Sequence, residues 1–466
     1  MRARLLPFAM LDNAPPPATR DSLPEETAQR RRFETAFSRT AELYGFTEVS
    51  TPMFERADLF AARSGAEIKN SLLTFHCDHE EYALRPEMTA PVCRMVASGA
   101  LAGLARPHRL FYIAPCFRYC RPHSGRQREF TQAGIEILGD PSPGADAEVI
   151  ATAHRFLRDL GAARLTLKVG TAGIFRALLP EELSADERAA VIGHLDRLAA
   201  VRERCAVAQP DRLLQEQLRA DRRALAVLQS QDGYAGEFAI SDAPTLEPEQ
   251  LARRLPDEAA ATYRHLWNVE GYVDEETADL LLRASAIRGG LEEVSEQASA
   301  VLEGSSASAA LEDLISVCQL LRHYSVGGFE ITLGISRGLT FYTGTMFEIS
   351  SGSKKLCGGG RYDKLVELFG GEPTPATGCA VRLDTLQELG LDRPASDGPD
   401  GITVRAASAQ DEARAVRLAE NLRTRGVAIG RAGAPAATVS GNSVRLPGGE
   451  VVAAETEAVL EALSAP

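Results

Sequence analysis

The sequence predicts an α+β protein: an antiparallel sheet flanked by helices, interrupted by a helical block and followed by a small α/β unit. Three observations carry this. Short β-rich runs alternate with turns over Leu72–Leu84 and Arg109–Gly139, with no helix of crossover length between them, so the strands pair antiparallel. Residues 175–325 are dominated by Ala, Leu, Glu and Arg at helical spacing. Strand-like sequence then returns at Phe329–Leu333 and continues to Arg382.

The elements follow in order. Residues 13–20 read as a stiff, extended lead-in rich in proline. Ser22-Leu-Pro-Glu25 reads as a capping box opening a helix whose face carries Phe33, Ala36, Phe37, Ala41 and Tyr44, with Gly45 as its stop. A strand ends at Val49-Ser-Thr-Pro52, a helix covers 145–160, and Arg164–Val169 is a strand. Ser184-Ala-Asp-Glu187 caps another helix. The domains expected are a sheet-bearing first part over 1–174, a helical insertion over 175–325, a second part over 326–390, a linker over 391–400 and a reduced α/β domain over 401–466.

Composition narrows the function. A chain of 466 residues with 44% hydrophobic and 25% charged residues is ordinary for a soluble globular protein. Net charge of −13 weighs against a nucleic-acid partner, because phosphate binding needs a basic face. Eight cysteines at irregular spacing, with no CxxC pair, fit a reducing cytoplasm. The apolar run at Met1–Leu11 is short and broken by Pro7, and no stretch approaches the ~20 apolar residues that span a bilayer. A cytoplasmic, soluble protein without a membrane partner is expected.

The chemistry sits in three segments. Arg85-Pro-Glu-Met-Thr89 offers Glu87 and Thr89, and taken alone it reads as a surface turn. Gln132 and Glu136 are four apart, on one face of a strand. Arg337-Gly-Leu-Thr-Phe-Tyr342 sets a cation near two aromatics, which alone reads as packing. Together they offer carboxylates for an ammonium, a guanidinium for a carboxylate, and a donor and acceptor for an imidazole: the demands of free histidine. His76-Cys-Asp-His79 reads as hairpin structure rather than a metal site, and Gly358-Gly-Gly360 as room for close strand approach.

In order and spacing, over roughly residues 15–390, these segments resemble the catalytic domain of class II histidyl-tRNA synthetases. The first helix and the strand to Pro52 resemble motif 1, a dimer-interface element. Phe117-Arg-Tyr-Cys120 and the loop through Glu129 resemble motif 2. Arg337–Glu348 and Cys357-Gly-Gly-Gly-Arg-Tyr-Asp363 resemble the two histidine-specific signatures. The resemblance implies that Glu87, Thr89, Gln132 and Tyr362 surround the histidine amino group, that Glu136 and Tyr342 address the imidazole, and that Arg337 lies by the carboxylate. Phe341 stands where a tyrosine is usual. Arg118 matches the arginine that holds the α-phosphate.

Two departures fall on the ATP side. The motif 2 glutamate that reads the adenine amino group is replaced by Cys120, and motif 3, usually ending Gly-Leu-Glu-Arg, reads Arg382-Leu-Asp-Thr385. Thr385 lacks the charge and length to reach a phosphate, and a three-residue slip is expected to point Arg382 elsewhere on the sheet. From Asp400 onward there are 7 arginines, no lysine and 8 acidic residues, a poor platform for a polyanion. The reading drawn from these losses is a non-catalytic, synthetase-like regulatory subunit of short-form ATP phosphoribosyltransferase. It implies no cofactor, no activity of its own, histidine as feedback ligand, self-association through motif 1, assembly with a catalytic subunit into a hetero-octamer, and no tRNA partner. The alternatives are an active, divergent histidyl-tRNA synthetase, and a sensor of histidine or uncharged tRNA acting on another partner.

Overall fold

A computed structural model describes residues 14–61, 71–121, 127–162, 164–204, 266, 268–334, 341–391, 403–425, 427, 429 and 436–464. Its centre is a nine-stranded sheet in the order β1 (Thr47–Glu48), β5 (His108–Phe117), β6 (Glu129–Leu138), β12 (Ala376–Arg382), β11 (Lys354–Arg361), β10 (Thr345–Ser351), β7 (Leu165–Thr171), β9 (Glu330–Thr332) and β8 (Arg288–Gly289). The six strands from β5 to β7 pair antiparallel throughout. Parallel pairs occur only at its flanks, β1 with β5 and β7 with β9. The α+β class with an antiparallel centre is therefore observed.

Both faces of this sheet are buried, and they differ in use. On one face, Ala133, Ile135 and Ile137 of β6 join Cys379 and Val381 of β12 in a core shared with Phe33 and Phe37 of helix Pro24–Leu43, Phe156 of helix Pro143–Asp159 and Val317 of helix Ser308–His323. The opposite face carries Leu110, Tyr112, Cys116, Phe130, Tyr342 and Tyr362 under helix Thr89–Ala97. Strand alternation sorts even-numbered residues of β6 and β12 to this second face. That face holds the candidate site.

Several local details differ from the expectation. The first helix is capped at Leu23, not Ser22: Pro24 occupies the first helical position, and the Leu23 amide donates to Glu26 at 3.1 Å. The lead-in is not straight, since Thr19 N donates to Pro16 O in a turn and the Ala18 carbonyl accepts from Arg128 N at 2.7 Å. Ser184 and Glu187 do form a reciprocal capping box, with the Ser184 amide 2.8 Å from the Glu187 carboxylate. His76 and Cys77 lie on β3 (Leu73–Cys77), and Asp78 and His79 form the turn to β4 (Glu80–Leu84), both with positive φ.

The described residues beyond 402 form a four-stranded sheet, β13 (Thr403–Ala406), β14 (Ala436–Ser440), β15 (Ser443–Arg445) and β16 (Val451–Ala453), with helices Glu412–Thr424 and Thr456–Ser464. A buried ionic cluster ties this unit to the main sheet. The Arg423 guanidinium stacks on Tyr44 at 3.7 Å and pairs with Glu148 at 2.8 Å, while Glu420 accepts from the Tyr44 hydroxyl at 2.7 Å and lies 3.4 Å from Arg155. Removing one member strands the rest without solvent. Arg423→Ala is therefore expected to cost about 3–5 kcal/mol, read by urea unfolding; a loss under about 1 kcal/mol, the range of exposed pairs, would show that the cluster does not fasten the two units.

Candidate active site

Glu136 is the centre of the site. It lies mid-β6, 1% exposed, with an even number that points it into the pocket face. Thr89 Oγ1 donates to its Oε1 at 3.0 Å, the Tyr112 hydroxyl donates to the same oxygen at 3.1 Å, and the Tyr362 hydroxyl donates to Oε2. Burial pushes the Glu136 carboxyl up to about 8, against the downward pull of these hydroxyls. Burial and then the Glu136 charge push the Tyr362 hydroxyl well above its ordinary value, so it stays a donor.

The carboxylate fits only because its neighbours lack side chains. Gly378 faces Glu136 across β12, and a Cβ there would overlap Glu136 Oε2. Gly134 faces Tyr112 across β5, and a Cβ there would overlap the phenol. These glycines leave room for two phenol rings to reach one acid.

Around this centre the segment 85–89 is fixed by backbone contacts. Arg85 donates to Pro115 O at 2.8 Å and to Thr51 O at 2.8 Å, tying it to β5 and to the segment that follows β1. It is not a surface turn. The Glu87 carboxylate accepts from the amides of Thr89 at 2.6 Å and Ala90 at 3.0 Å at the start of helix Thr89–Ala97. Burial raises its carboxyl above the ordinary value, with those amides and Arg118 opposing. Gln132 Oε1 accepts from Met88 N at 3.0 Å and from the Cys116 thiol at 3.3 Å. Phe341 packs on Tyr342 at 4.8 Å and edge-on to Tyr362 at 6.0 Å. Tyr362 is held in place by its neighbours: Arg361 pairs with buried Asp146 at 3.0 Å, and Asp363 accepts from Ala376 N at 2.9 Å.

On the other side of Gln132 lie two cations. Arg118 donates to Pro86 O at 2.8 Å and its guanidinium sits 5.4 Å from the Phe130 ring centroid. Arg382, opposite Gln132 in the register, lies 4.1 Å from the same centroid. The expectation that Arg382 points away is thus corrected. Residues 378, 380 and 382 share one pleat face, so the arginine stays on the pocket side. Thr385 falls instead in the short helix Leu383–Glu388.

Comparisons with known proteins now bear on what this site serves. The family model described as histidyl-tRNA synthetase matches residues 18–239 and 238–386. The chain belongs to the histidyl-tRNA synthetase family. The histidine–tRNA ligase of Methanocaldococcus jannaschii is 35% identical over 375 residues, covering 80% of this chain and 74% of that protein. That of Archaeoglobus fulgidus is 32% identical over 416 residues, covering 88% and 83%. Two solved structures share the fold: a Bacillus halodurans protein described as an ATP phosphoribosyltransferase regulatory subunit/histidyl-tRNA synthetase (24% identity, TM-score 0.58, covering 90% of this chain and 92% of the other), and a histidyl-tRNA synthetase from Nostoc (18%, TM-score 0.57, 97% and 100%).

These relatives overturn the regulatory-subunit reading and the expectation of a non-enzyme. Proteins more than 30% identical over most of the chain are ligases, whereas the likeness to the Bacillus structure is one of fold. The regulatory reading took the departures at Cys120 and Thr385 as a loss of activity, although Arg382 stands on the pocket face. The expected absence of a tRNA partner has no support either, since the relatives that span this chain act on tRNA by name. Among the described residues, no helix is long and apolar enough to cross a membrane.

Of the residues expected at the site, Glu87, Thr89, Gln132, Glu136, Phe341, Tyr342 and Tyr362 come together on one sheet face, with Arg118 at its edge. Cys120 lies just past β5, where its carbonyl accepts from Arg128 at 3.3 Å. Arg337 lies outside the described residues. Sequence reasoning missed Tyr112, which only the strand register sets opposite Gly134, and the Arg361–Asp146 pair beneath Tyr362.

Two outcomes follow from this geometry. Gly378→Ala should destroy the pocket, measured as loss of histidine binding by calorimetry, whereas Gly441→Ala, in a β-turn of the C-terminal sheet, should leave binding unchanged. The raised Glu136 carboxyl also sets a pH dependence. The unfolded group ionises near its ordinary 4.5 and the folded one near 8, so the native chain holds the extra proton between them. Stability relative to Glu136→Gln should therefore fall as pH rises from 5 to 8, by up to about 1.4 kcal/mol per unit, and level off above. Parallel unfolding curves for the two proteins across that range would refute the buried acid.

Proposed function

We propose that this chain is an ATP-dependent histidine–tRNA ligase. The observation that carries the reading is a buried acid ringed by hydroxyls, in a chain whose 31–35% identical relatives are histidine–tRNA ligases. Glu136 and Tyr342 address the imidazole, and an imidazolium entering the pocket would favour the ionised acid over the protonated one. Glu87, Thr89, Gln132 and Tyr362 receive the amino group, and Arg337 the carboxylate. Arg118 at the rim holds the α-phosphate.

In this arrangement a histidine carboxylate oxygen attacks the α-phosphorus of ATP. The bond from that phosphorus to the bridging oxygen breaks, and pyrophosphate leaves. The protein's part is chiefly alignment and charge stabilisation, since little covalent chemistry falls to its side chains. The terminal ribose hydroxyl of tRNA then attacks the activated carboxyl carbon and AMP departs. Phe341 removes one hydroxyl from the imidazole side, which leaves recognition there to Glu136 and Tyr342.

The purified protein should catalyse histidine-dependent ATP–pyrophosphate exchange and attach histidine to tRNA. Glu136→Ala should lower exchange by about 100-fold or more, the scale on which removal of a buried charge-assisted contact acts. Histidine binding with no exchange by the wild-type protein would overturn the ligase reading.

A further inference from the structure

The lost motif 3 cation at Thr385 leaves the ATP side one positive charge short in sequence terms, yet not in space. Arg382 ends β12 on the same pleat face as Gly378 and Ala380, directly across from Gln132. Its guanidinium stacks 4.1 Å from the centroid of the Phe130 ring, the ring that also carries Arg118 at 5.4 Å. The ring is buried, whereas both arginines are partly exposed. The strand end is fixed where it needs to be: Asp384 accepts from the amide of Thr131, beside Phe130, at 2.7 Å, locking the start of the next helix onto β6. Both arginines also act on one neighbour, the buried Cys116 thiol. Burial pushes it up to about 12, against the opposing pull of Arg85, Arg118 and Arg382. Two cations thus converge on one aromatic platform, on the same strand and the same pleat face as Glu136.

We propose that Arg382 binds the ATP polyphosphate together with Arg118, replacing from the end of the strand the cation that Thr385 lacks in the following helix. This rests on the ligase reading and deepens it. Two like charges beside one ring repel each other, and a multivalent anion that accepts hydrogen bonds from both relieves that repulsion. Phe130 lies against both groups, Arg382 the closer at 4.1 Å, which limits the rotamer freedom lost when the anion arrives. Thr385 is then no defect, because the charge has moved along the chain while staying at the same pocket.

The test uses the full chain and separates charge from packing. Arg382→Met keeps an unbranched side chain against Phe130 and removes the cation. Its KM for ATP in histidine-dependent exchange should rise about tenfold or more, with histidine affinity by calorimetry within about twofold of wild type. Arg382→Lys should recover part of the loss, and the double variant Arg382→Met/Thr385→Arg, which restores the cation to the helix, should recover part as well. A KM for ATP unchanged in Arg382→Met, or an equal loss of ATP and histidine binding, overturns the proposal and leaves the ligase reading untouched. If the wild-type chain shows no exchange, the ligase reading fails by itself. Direct calorimetry of ATP on wild type and Arg382→Met then decides the arginine separately: equal affinities, or no binding by either, overturn its role.

Discussion

An ionisable carboxyl buried without partners is among the most unfavourable groups a fold can hold, and Glu136 dictates much of what surrounds it. Three hydroxyls from three separated segments converge on its two oxygens: Thr89, Tyr112 and Tyr362. Each needs its own support. Thr89 opens a helix whose first amides are capped by Glu87, Tyr112 needs Gly134 opposite it, and Tyr362 is bracketed by the Arg361–Asp146 and Asp363–Ala376 contacts. Gly378 clears the last space. A single acid in the middle of β6 thus accounts for two glycines, two tyrosines and the placement of a helix.

The sheet converts this local demand into a division of labour. Because successive side chains alternate, β6 and β12 give one face to apolar packing, while the other sets the polar site among apolar residues such as Phe130 and Leu138. Ile135, Ile137 and Cys379 face helices; Gln132, Gly134, Glu136, Gly378 and Arg382 face the pocket. The helical side supplies the burial that stabilises the chain, so the polar side can carry an acid whose ionisation burial disfavours. Site and core share the same residues' backbones and compete for none of their side chains.

What could be read from sequence was what depends on spacing along the chain. Gln132 and Glu136 share a face because four residues of strand return to the same side, and the first helix shows its stripe from Phe33 to Tyr44. What depends on register between strands could not be read. Tyr112 belongs to the site because β5 sets it against Gly134, and no local pattern records that pairing. Arg382 was misplaced for a related reason: counting three positions along a motif ignores that a strand ends and a helix begins between Arg382 and Leu383. The cap at Leu23 was displaced by one residue because Pro24 takes the first helical position. The functional reading leaned on the same count, taking the departure at Thr385 as decisive where the relatives of this chain are ligases.

That substitution illustrates how little net charge says about a site. The chain is formally −13, and its C-terminal unit carries slightly more acid than base. Within the pocket the balance is reversed at one end, where Arg118 and Arg382 share Phe130, and held acidic at the other, where Glu87 and Glu136 lie. Charges more than about 10 Å away through solvent are screened at physiological salt, whereas partly buried pairs against a ring are not. A cationic rim thus stands beside an acidic floor within a chain whose overall charge is negative.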